Sequence, residues 1–191
     1  MNPPSKPFEL RTARADDALC LSVLAMQVYL HTYATQGIRA AIARDVHTQF
    51  SPAVFAGLLG RADTGLVVAE QRGHLIGFAQ NTWGAAHGQA QALAPAARPA
   101  ELARLYVQEP FTAQGVGSAL LHRAEQAAQA QGCGLLWLTP WVHNHRALAF
   151  YARRGYADCG ETVHLIEGEK HGNRVFAKAL TPALNDSDAA A

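Results

Sequence analysis

The chain has 191 residues, which is enough for one domain with a sizeable apolar core and too few for two domains of ordinary size. Hydrophobic residues make up 49% of it and charged residues 16%, with 16 Lys and Arg against 15 Asp and Glu. Because these charges balance, we expect neither a nucleic-acid partner nor a membrane partner. Any partner must be recognised at a local site.

The cysteines and the N-terminus indicate a reducing compartment. Cys20, Cys133 and Cys159 are odd in number and widely spaced, which argues against a disulfide framework and against a zinc site. Residues 1–7 lack the apolar segment of a signal peptide, and the sequence contains no run of about eighteen apolar residues. We therefore expect a cytoplasmic protein.

The first half of the chain predicts a strand, three helices and a β-hairpin. Asp16 is the expected N-cap of the first helix, Gly37 its expected end, and Ser51 with Pro52 starts a third helix. The elements are a strand at 8–11, helices at 18–33, 38–49 and 52–59, and strands at 66–69 and 74–80 joined by a turn at 71–73. Residues 84–99 predict a long surface loop that belongs to the substrate side or has no role.

The second half predicts a β-α-β unit, a further helix and two strands. The elements are a strand at 102–107, a helix at 115–131, a strand at 135–139, a helix at 144–154, and strands at 157–166 and 173–178 around a turn at 167–172. We expect Asn144 to cap the helix at 144–154 and Gly155 to end it. This order predicts one α/β domain at residues 1–180, a three-layer α/β/α sandwich with a mixed sheet, followed by a disordered tail at 181–191.

Residues 114–121 read Gln-Gly-Val-Gly-Ser-Ala-Leu-Leu and follow the strand at 102–107. A strand that leads into a glycine turn opening a helix presents several unpaired backbone N–H groups, which favour a phosphate or a diphosphate. A nucleoside-triphosphate loop would need a Lys after the glycines, and a Rossmann fingerprint would need glycine instead of Leu120. The alternative is that these glycines only allow tight packing at the helix start.

The chain resembles the GCN5-related N-acetyltransferases (GNATs), closely in its C-terminal half and only in element order before it. The matching segments are Ala-Glu-Leu-Ala-Arg-Leu-Tyr-Val at 100–107, Gln-Gly-Val-Gly at 114–117, Asn-His-Arg-Ala-Leu-Ala-Phe-Tyr at 144–151 and Gly-Tyr at 155–156. The resemblance implies the GNAT fold, with a mostly antiparallel central sheet of about seven strands. It also implies an N-acetyltransferase that uses acetyl-coenzyme A as cosubstrate and needs no metal.

The resemblance implies that this strand, loop and helix hold acetyl-coenzyme A. The backbone amides of residues 114–118 would face the diphosphate, and Asn144 would bond to the pantetheine arm. Thr112 stands where the family usually has Arg or Gln, so we expect weaker binding of the diphosphate. The implied cofactor residues are Leu105, Tyr106, Val107, Thr112, Ala113, Gln114, Gly115, Val116, Gly117, Ser118, Asn144, Ala147, Phe150 and Tyr151.

Attack of a neutral amine on a thioester forms an oxyanion and expels a thiolate. The N–H groups of Tyr106 and Val107 would stabilise the oxyanion if their strand is splayed from its neighbour, as the family's is. Tyr151, two helical turns from Asn144, would donate a proton to the sulfur; alternatively, it is a core aromatic and Asn144 only a helix cap.

Glu101 is the candidate base that takes the proton of the amine. Along an ideal strand it shares a face with Ala103, Leu105 and Val107, although a β-bulge would reverse that facing. The alternative is a solvated carboxylate at a strand end.

Trp137 and Trp141, before the helix at 144–154, resemble the bacterial GNAT branch with PaiA-type spermidine/spermine acetyltransferases. This implies a small primary amine as acceptor, with a polyamine as first candidate, attacking directly in a ternary complex. The alternatives are a protein N-terminal or lysine acetyltransferase and a non-catalytic coenzyme A sensor. A homodimer is left open.

Several polar residues are expected around the acceptor. His143 and His145 flank Asn144 but point in different directions at a helix start, so we do not expect a metal there. The residues expected to form or reach the acceptor wall are His31, Tyr33, Asp45, His47, Glu161, His164 and Glu167.

Overall fold

The described residues, 8–166 and 169–181 in a computed structural model, form seven strands and six helices. The strands are β1 (Glu9–Thr12), β2 (Thr64–Gln71), β3 (His74–Trp83), β4 (Pro99–Val107), β5 (Leu135–Leu138), β6 (Ala157–Ile166) and β7 (Glu169–Ala179). The helices are α1 (Ala18–Tyr33), α2 (Ala40–Gln49), α3 (Pro52–Leu59), α4 (Gly88–Gln91), α5 (Val116–Ala130) and α6 (His145–Ala152). The strands form one sheet in the order β1-β2-β3-β4-β5-β7-β6, in which β4 and β5 run parallel and the other neighbours antiparallel. The predicted mixed, mostly antiparallel sheet is confirmed.

Helices cover both faces of this sheet. On one face, α5 buries an apolar stripe that includes Val116 and Leu120. On the other face, α1 and α3 pack over β2 and β3, where the rings of Phe55 and Phe78 meet edge to face at 5.7 Å, and α2 adds Ile42 and Val46 to the same apolar cluster. The sheet flanked by helices on both sides is the predicted three-layer arrangement.

The ends of α1 differ from the prediction. Asp17, not Asp16, precedes the helix, because its carboxylate accepts the Arg14 backbone N–H at 2.7 Å and two guanidinium bonds from Arg11 at 2.7 and 2.9 Å. The helix ends at Tyr33, and Gly37 serves instead in the following turn with a φ of 106°.

Part of the predicted surface loop at 84–99 is buried. It contains α4, and Ala90 lies fully buried against Leu135 and Trp137 of β5. The Trp137 indole N–H also donates to the Ala85 carbonyl at 2.8 Å. The prediction of a surface loop was wrong here because a four-residue helix shows no periodicity, while small alanines let it lie flat on the sheet.

The last hairpin has a shorter connection than predicted. β7 begins at Glu169, so the predicted turn at 167–172 is wrong for residues 169–172, which pair with β6. Gly172 does not interrupt the strand; it faces Val163 across the ladder and lies against Val142. Residues 167 and 168 and the predicted tail at 182–191 lie outside the described part.

The neighbouring strands β4 and β5 diverge, and this positions the site. They pair only where 99–101 meets 135–137, and β4 then continues to Val107 without β5 beside it. β4 is also irregular, since Gln80 of β3 faces Arg104 while Asn81 faces Leu102, which leaves Ala103 as an extra residue. The divergence opens a cleft between β4 and β5 in the middle of the sheet. The bulge reverses the facing of the β4 side chains on either side of Ala103.

Candidate active site

The cleft between β4 and β5 is part of a cavity of about 950 Å³. Its walls come from α1, the end of β4, the loop before α5, the connection from β5 to α6, and α6 itself. Every predicted cofactor residue lines it except Gln114 and Val116, and the predicted base Glu101 does not line it. Val116 points into the core, and Gln114 is exposed, where its side-chain amide donates to the Pro110 carbonyl at 2.8 Å.

The loop before α5 is shaped to present backbone N–H groups. Ala113 and Gly115 both have left-handed backbones, with φ of 60° and 84°. A left-handed alanine costs about 1 kcal/mol, and such strain recurs where backbone must meet a ligand. Ala119 is the first residue of α5 whose N–H bonds back, to the Gly115 carbonyl at 3.0 Å, so the N–H groups before it have no partner inside the helix. This is the geometry that binds phosphate oxygens.

Packing inside the protein does not require the glycine at Gly117. A Cβ added there would lie 3.6 Å from a Phe150 ring carbon and 3.8 Å from a Val107 methyl, which are ordinary contacts. All three residues line the cavity, so that Cβ would narrow the space between β4 and α6. The missing side chain therefore keeps the cleft wide and is not needed for packing in the protein interior.

Three arginines of α6 and its C-terminal end add positive charge to the cavity, and the sequence analysis missed them. Arg146, Arg153 and Arg154 all line it. The Arg154 guanidinium lies 3.7 Å from the Phe150 ring centroid and donates to Ser118 Oγ at the start of α5. Together with the dipole of α5, these charges favour a multiply charged anion. The adjacent pair at 153–154, one turn past the predicted active-site residues, was the signal available in the sequence.

Helix α6 brings Asn144 and Tyr151 to the same cavity. The Asn144 side-chain oxygen accepts the Ala147 backbone N–H at 3.0 Å, so it caps the helix and leaves its NH₂ group as the donor it can offer to a ligand. Tyr151 is buried, and burial raises its pKa, with the phenols of Tyr106 and Tyr33 adding to the rise. Since an ordinary tyrosine titrates near pH 10, Tyr151 keeps its proton at neutral pH.

Only alternate N–H groups of β4 point into the cleft. The N–H of Gln108, just after the strand, donates to the Ile76 carbonyl of β3 at 3.0 Å. Because successive N–H groups of a strand point to opposite edges, Tyr106 N–H also points to β3, while Leu105 and Val107 N–H point to the open edge. The prediction of Tyr106 N–H as an oxyanion donor was therefore wrong; the residue contributes its side chain to the cavity wall.

The bulge at Ala103 reverses the facing of Glu101. Leu105 and Val107 pack against the core under α5, whereas Tyr106 packs with the core under α1 and α3, and Arg104 lies over the Phe50 ring on that second face. Glu101 shares this second face, so the predicted common face with Ala103, Leu105 and Val107 was wrong. Burial raises the pKa of Glu101 and the charge of Arg104 partly offsets this rise.

Aromatic rings of α1 and of the connection from β5 to α6 form part of the cavity wall. Tyr33 of α1 lies 5.3 Å from Trp141, and Trp141 lies 4.9 Å from His143, measured between ring centroids. His31 lines the cavity near Glu109, whereas Asp45 lies behind the wall and accepts the Tyr29 hydroxyl at 2.7 Å.

The other residues expected near the acceptor lie apart from this cavity. His47 and Asp45 border a separate shallow depression on α2. Glu161 and His164 are exposed on β6, and Glu167 lies outside the described residues.

The chain matches the acetyltransferase (GNAT) family over residues 31–156. It belongs to this family. The predicted family and enzyme class are therefore confirmed.

Known GNAT relatives support the same assignment. An uncharacterised N-acetyltransferase in the pepI 3′ region of Lactobacillus delbrueckii subsp. lactis is 32% identical over 80 residues, which are 42% of this chain and 46% of that protein. The match thus spans less than half of the relative's length.

Solved structures share the GNAT fold. The PaiA N-acetyltransferase of Thermoplasma acidophilum, in complex with coenzyme A, has a TM-score of 0.68 at 22% identity, covering 90% of this chain and 98% of that one. Arabidopsis thaliana NAA60, in complex with a bisubstrate analogue, has a TM-score of 0.69 at 17% identity, covering 92% and 99%. Identities this low show a common fold and do not select an acceptor.

The described residues of this GNAT protein offer neither a metal-binding group nor a membrane-spanning helix. In the ranges 8–166 and 169–181, no group of three or more His, Cys, Asp or Glu side chains is placed to hold a metal ion. No helix in the same ranges is long and apolar enough to span a membrane.

Proposed function

We propose that this GNAT protein transfers the acetyl group of acetyl-coenzyme A to the primary amine of a small molecule by direct attack in a ternary complex. The observation that carries the proposal is one continuous cavity. The start of α5, with its free backbone N–H groups, and the protonated phenol of Tyr151 both line it.

The residues of the cavity fit acetyl-coenzyme A. The backbone at Gly115, Gly117 and Ser118 would hold the diphosphate, with Arg154 beside it to balance the negative charge. The Asn144 side-chain NH₂ would donate to an amide carbonyl of the pantetheine arm in the cleft between β4 and α6. The bound cosubstrate supplies an activated acetyl group and a thiolate leaving group.

The protein would stabilise charge as it develops. Leu105 and Val107 offer N–H groups at the open edge of β4 to the carbonyl oxygen of the thioester. Because Glu101 does not line the cavity, it would act through water to take the proton from the acceptor ammonium and leave a neutral nitrogen that can attack. Tyr151 would donate its phenolic proton to the sulfur as the C–S bond breaks and the N–C bond forms. The nitrogen, cationic after the attack, would return its extra proton to the Tyr151 phenolate. The products are an N-acetyl amine and coenzyme A with a free thiol.

The acceptor proposal comprises small primary amines, with a polyamine as the candidate that the PaiA resemblance suggests. The solved PaiA structure supports this only by its shared fold. The segment 84–99 does not line the cavity, so it neither forms nor blocks an acceptor groove there.

A screen for free thiol released from acetyl-coenzyme A tests the proposed function. The panel contains polyamines, amino acids, aminoglycosides, arylalkylamines and N-terminal peptides. We expect thiol release with at least one small amine, and release only with peptides would favour a protein acetyltransferase. Binding of acetyl-coenzyme A without release on any acceptor would favour a sensor.

The Tyr151→Phe variant tests the general acid. We expect it to lower kcat about a hundredfold while the Kd for acetyl-coenzyme A stays unchanged, because only proton donation is lost. Unchanged turnover would remove Tyr151 from the mechanism.

A further inference from the structure

A connected series of aromatic rings runs from the sheet to the cavity. Beginning on β4, Tyr106 contacts Phe50, Phe50 contacts Tyr29, and Tyr29 contacts Tyr33, at centroid distances of 6.3, 5.0 and 4.6 Å. From Tyr33 the series continues across the cavity wall to Trp141 at 5.3 Å. Tyr29, Tyr33, Tyr106 and Trp141 all line the cavity, so the acceptor side presents ring surface.

The backbone at Trp141 is anchored to β7. Its backbone forms a bridge with Asn173 of β7, and the next residue, Val142, donates its N–H to the Gly172 carbonyl at 3.0 Å. The Asn173 side chain donates in turn to the Thr139 carbonyl at 2.9 Å. These bonds hold the backbone on both sides of Trp141, and its ring contacts Tyr33 and His143, so less ordering is left for ligand binding to impose.

The carboxylates around the acceptor side already have partners. Glu109, the one carboxylate of the described residues that lines the cavity, pairs with Arg146 at 3.1 Å. Asp45 accepts the Tyr29 hydroxyl at 2.7 Å. Farther out, Glu169 pairs with Arg39 and Glu161 with Arg174. A polycation would have to displace these partners, and the cavity also contains Arg146, Arg153 and Arg154, which repel it.

We propose that the acceptor is an arylalkylamine, a primary amine on a short alkyl chain whose aromatic ring packs on Tyr33 and Trp141. This rests on the proposed acetyltransferase function and names its substrate class. Offset or edge-to-face ring contacts would hold the aryl group, because flat rings at this spacing attract through dispersion and their quadrupoles.

The placement of Tyr33 connects the ring site to the reacting atoms. Tyr33 and Tyr106 line the same cavity as Tyr151, the proposed proton donor to the sulfur, so the aromatic wall and the reacting thioester would share one space. An aryl group on the wall therefore leaves a short alkyl chain to reach the acetyl carbon. After the base has taken one proton from the ammonium, the neutral nitrogen forms the N–C bond as the C–S bond breaks, and the sulfur takes the proton of Tyr151. The nitrogen then returns its extra proton to the Tyr151 phenolate, which gives an N-acetyl arylalkylamine and the free thiol of coenzyme A.

The test compares kcat/KM for amines matched in length. Phenethylamine and tryptamine are compared with hexylamine, 2-cyclohexylethylamine and spermidine, all with saturating acetyl-coenzyme A. We expect the aryl amines to exceed the alkyl amines by about tenfold, the factor that two ring contacts supply. The cyclohexyl compound controls for hydrophobic size without a π-face.

Variants locate the preference. Tyr33→Leu and Trp141→Leu should each reduce the ratio of aryl to alkyl kcat/KM, whereas Tyr33→Phe should keep it because the ring remains. Leu19→Ala, on the solvent face of α1 where the side chain is 62% exposed, is the control that should leave the ratio unchanged.

The outcomes distinguish failure of the arylalkylamine assignment from failure of the acetyltransferase proposal. Acetylation of amines without an aryl preference, or with spermidine as the best acceptor, would overturn the arylalkylamine assignment and leave the acetyltransferase proposal standing. Thiol release on none of the amines or peptides would overturn both. An aryl preference that survives both leucine variants would show that the rings of Tyr33 and Trp141 do not hold the acceptor.

Discussion

A methyl group added at Gly117 would enter the proposed cofactor cleft without disturbing the protein around it. In Gly117→Ala, the new Cβ lies 3.6 Å from Phe150 and 3.8 Å from Val107, so no neighbour has to move. Alanine in place of a helical glycine gains up to about 1 kcal/mol of stability, and less in the first turn of a helix such as α5. We therefore expect the free energy of unfolding to stay equal or to rise slightly.

The same methyl group should weaken binding of acetyl-coenzyme A. It narrows the space between β4 and α6 through which the pantetheine arm passes, and it pushes the diphosphate away from the N–H groups of α5. Loss of one charge-assisted hydrogen bond costs about 2 kcal/mol, which corresponds to a Kd raised about thirtyfold. Isothermal titration calorimetry gives the Kd, and urea denaturation gives the stability of the same preparation.

Gly57→Ala is the matched control. Gly57 lies inside α3 on an exposed surface, and a Cβ added there meets nothing within 4 Å. We expect this variant to gain about 0.5–1 kcal/mol of stability and to keep the Kd of the parent protein. An unchanged Kd in Gly117→Ala would refute the reasoning, because it would mean that the glycine does not serve the cofactor.

Two further substitutions test the base and the start of α1. Glu101→Gln should lower turnover about a hundredfold near neutral pH. The difference from wild type should shrink as the pH rises toward the pKa of a free alkylamine near 10, because the acceptor then loses its proton without a base. Identical pH–rate profiles of variant and wild type would exclude Glu101 as the base. The wild-type rate should fall on the acid side at a pH above the ordinary range of a carboxyl, because burial raises the pKa of Glu101. Asp17→Asn should cost about 2 kcal/mol of stability at pH 7, because the hydrogen bonds from Arg11 lower the pKa of Asp17. That stability is present above about pH 4 and is lost as the pH falls through the lowered pKa, so the gap between variant and wild type in urea denaturation should close in acid; a gap that persists there would contradict an ionic origin.

Local signals were sufficient for much of the fold and for the cofactor end of the site. Ser51 with Pro52 predicted the start of α3, where the Ser51 hydroxyl accepts the Val54 N–H. The glycine loop and the spacing of Asn144 and Tyr151 depend on a few adjacent residues, and the structure brings them into one cavity. Such features depend on short stretches of sequence, and predicting them needs no tertiary information.

The features that the sequence analysis missed arise from pairing between distant segments. The bulge at Ala103 depends on the register between β3 and β4, and it decides which face Glu101 and Arg104 share. The contact between Tyr33 and Trp141 joins two segments more than a hundred residues apart. The hydrophobic period of a strand does not reveal a bulge, and the position of one ring does not reveal its distant partner, so neither feature could be predicted from the sequence alone.

The central claim is that the amide groups at the start of α5 bind the diphosphate of coenzyme A. Calorimetry that compares coenzyme A with pantetheine, which shares the thiol arm and lacks the diphosphate with its adenosine 3′-phosphate, tests it most directly. The account predicts that coenzyme A binds at least about a hundredfold more tightly, the factor that two charge-assisted hydrogen bonds supply, and that this advantage falls as salt is added. Equal affinities for the two compounds would contradict it.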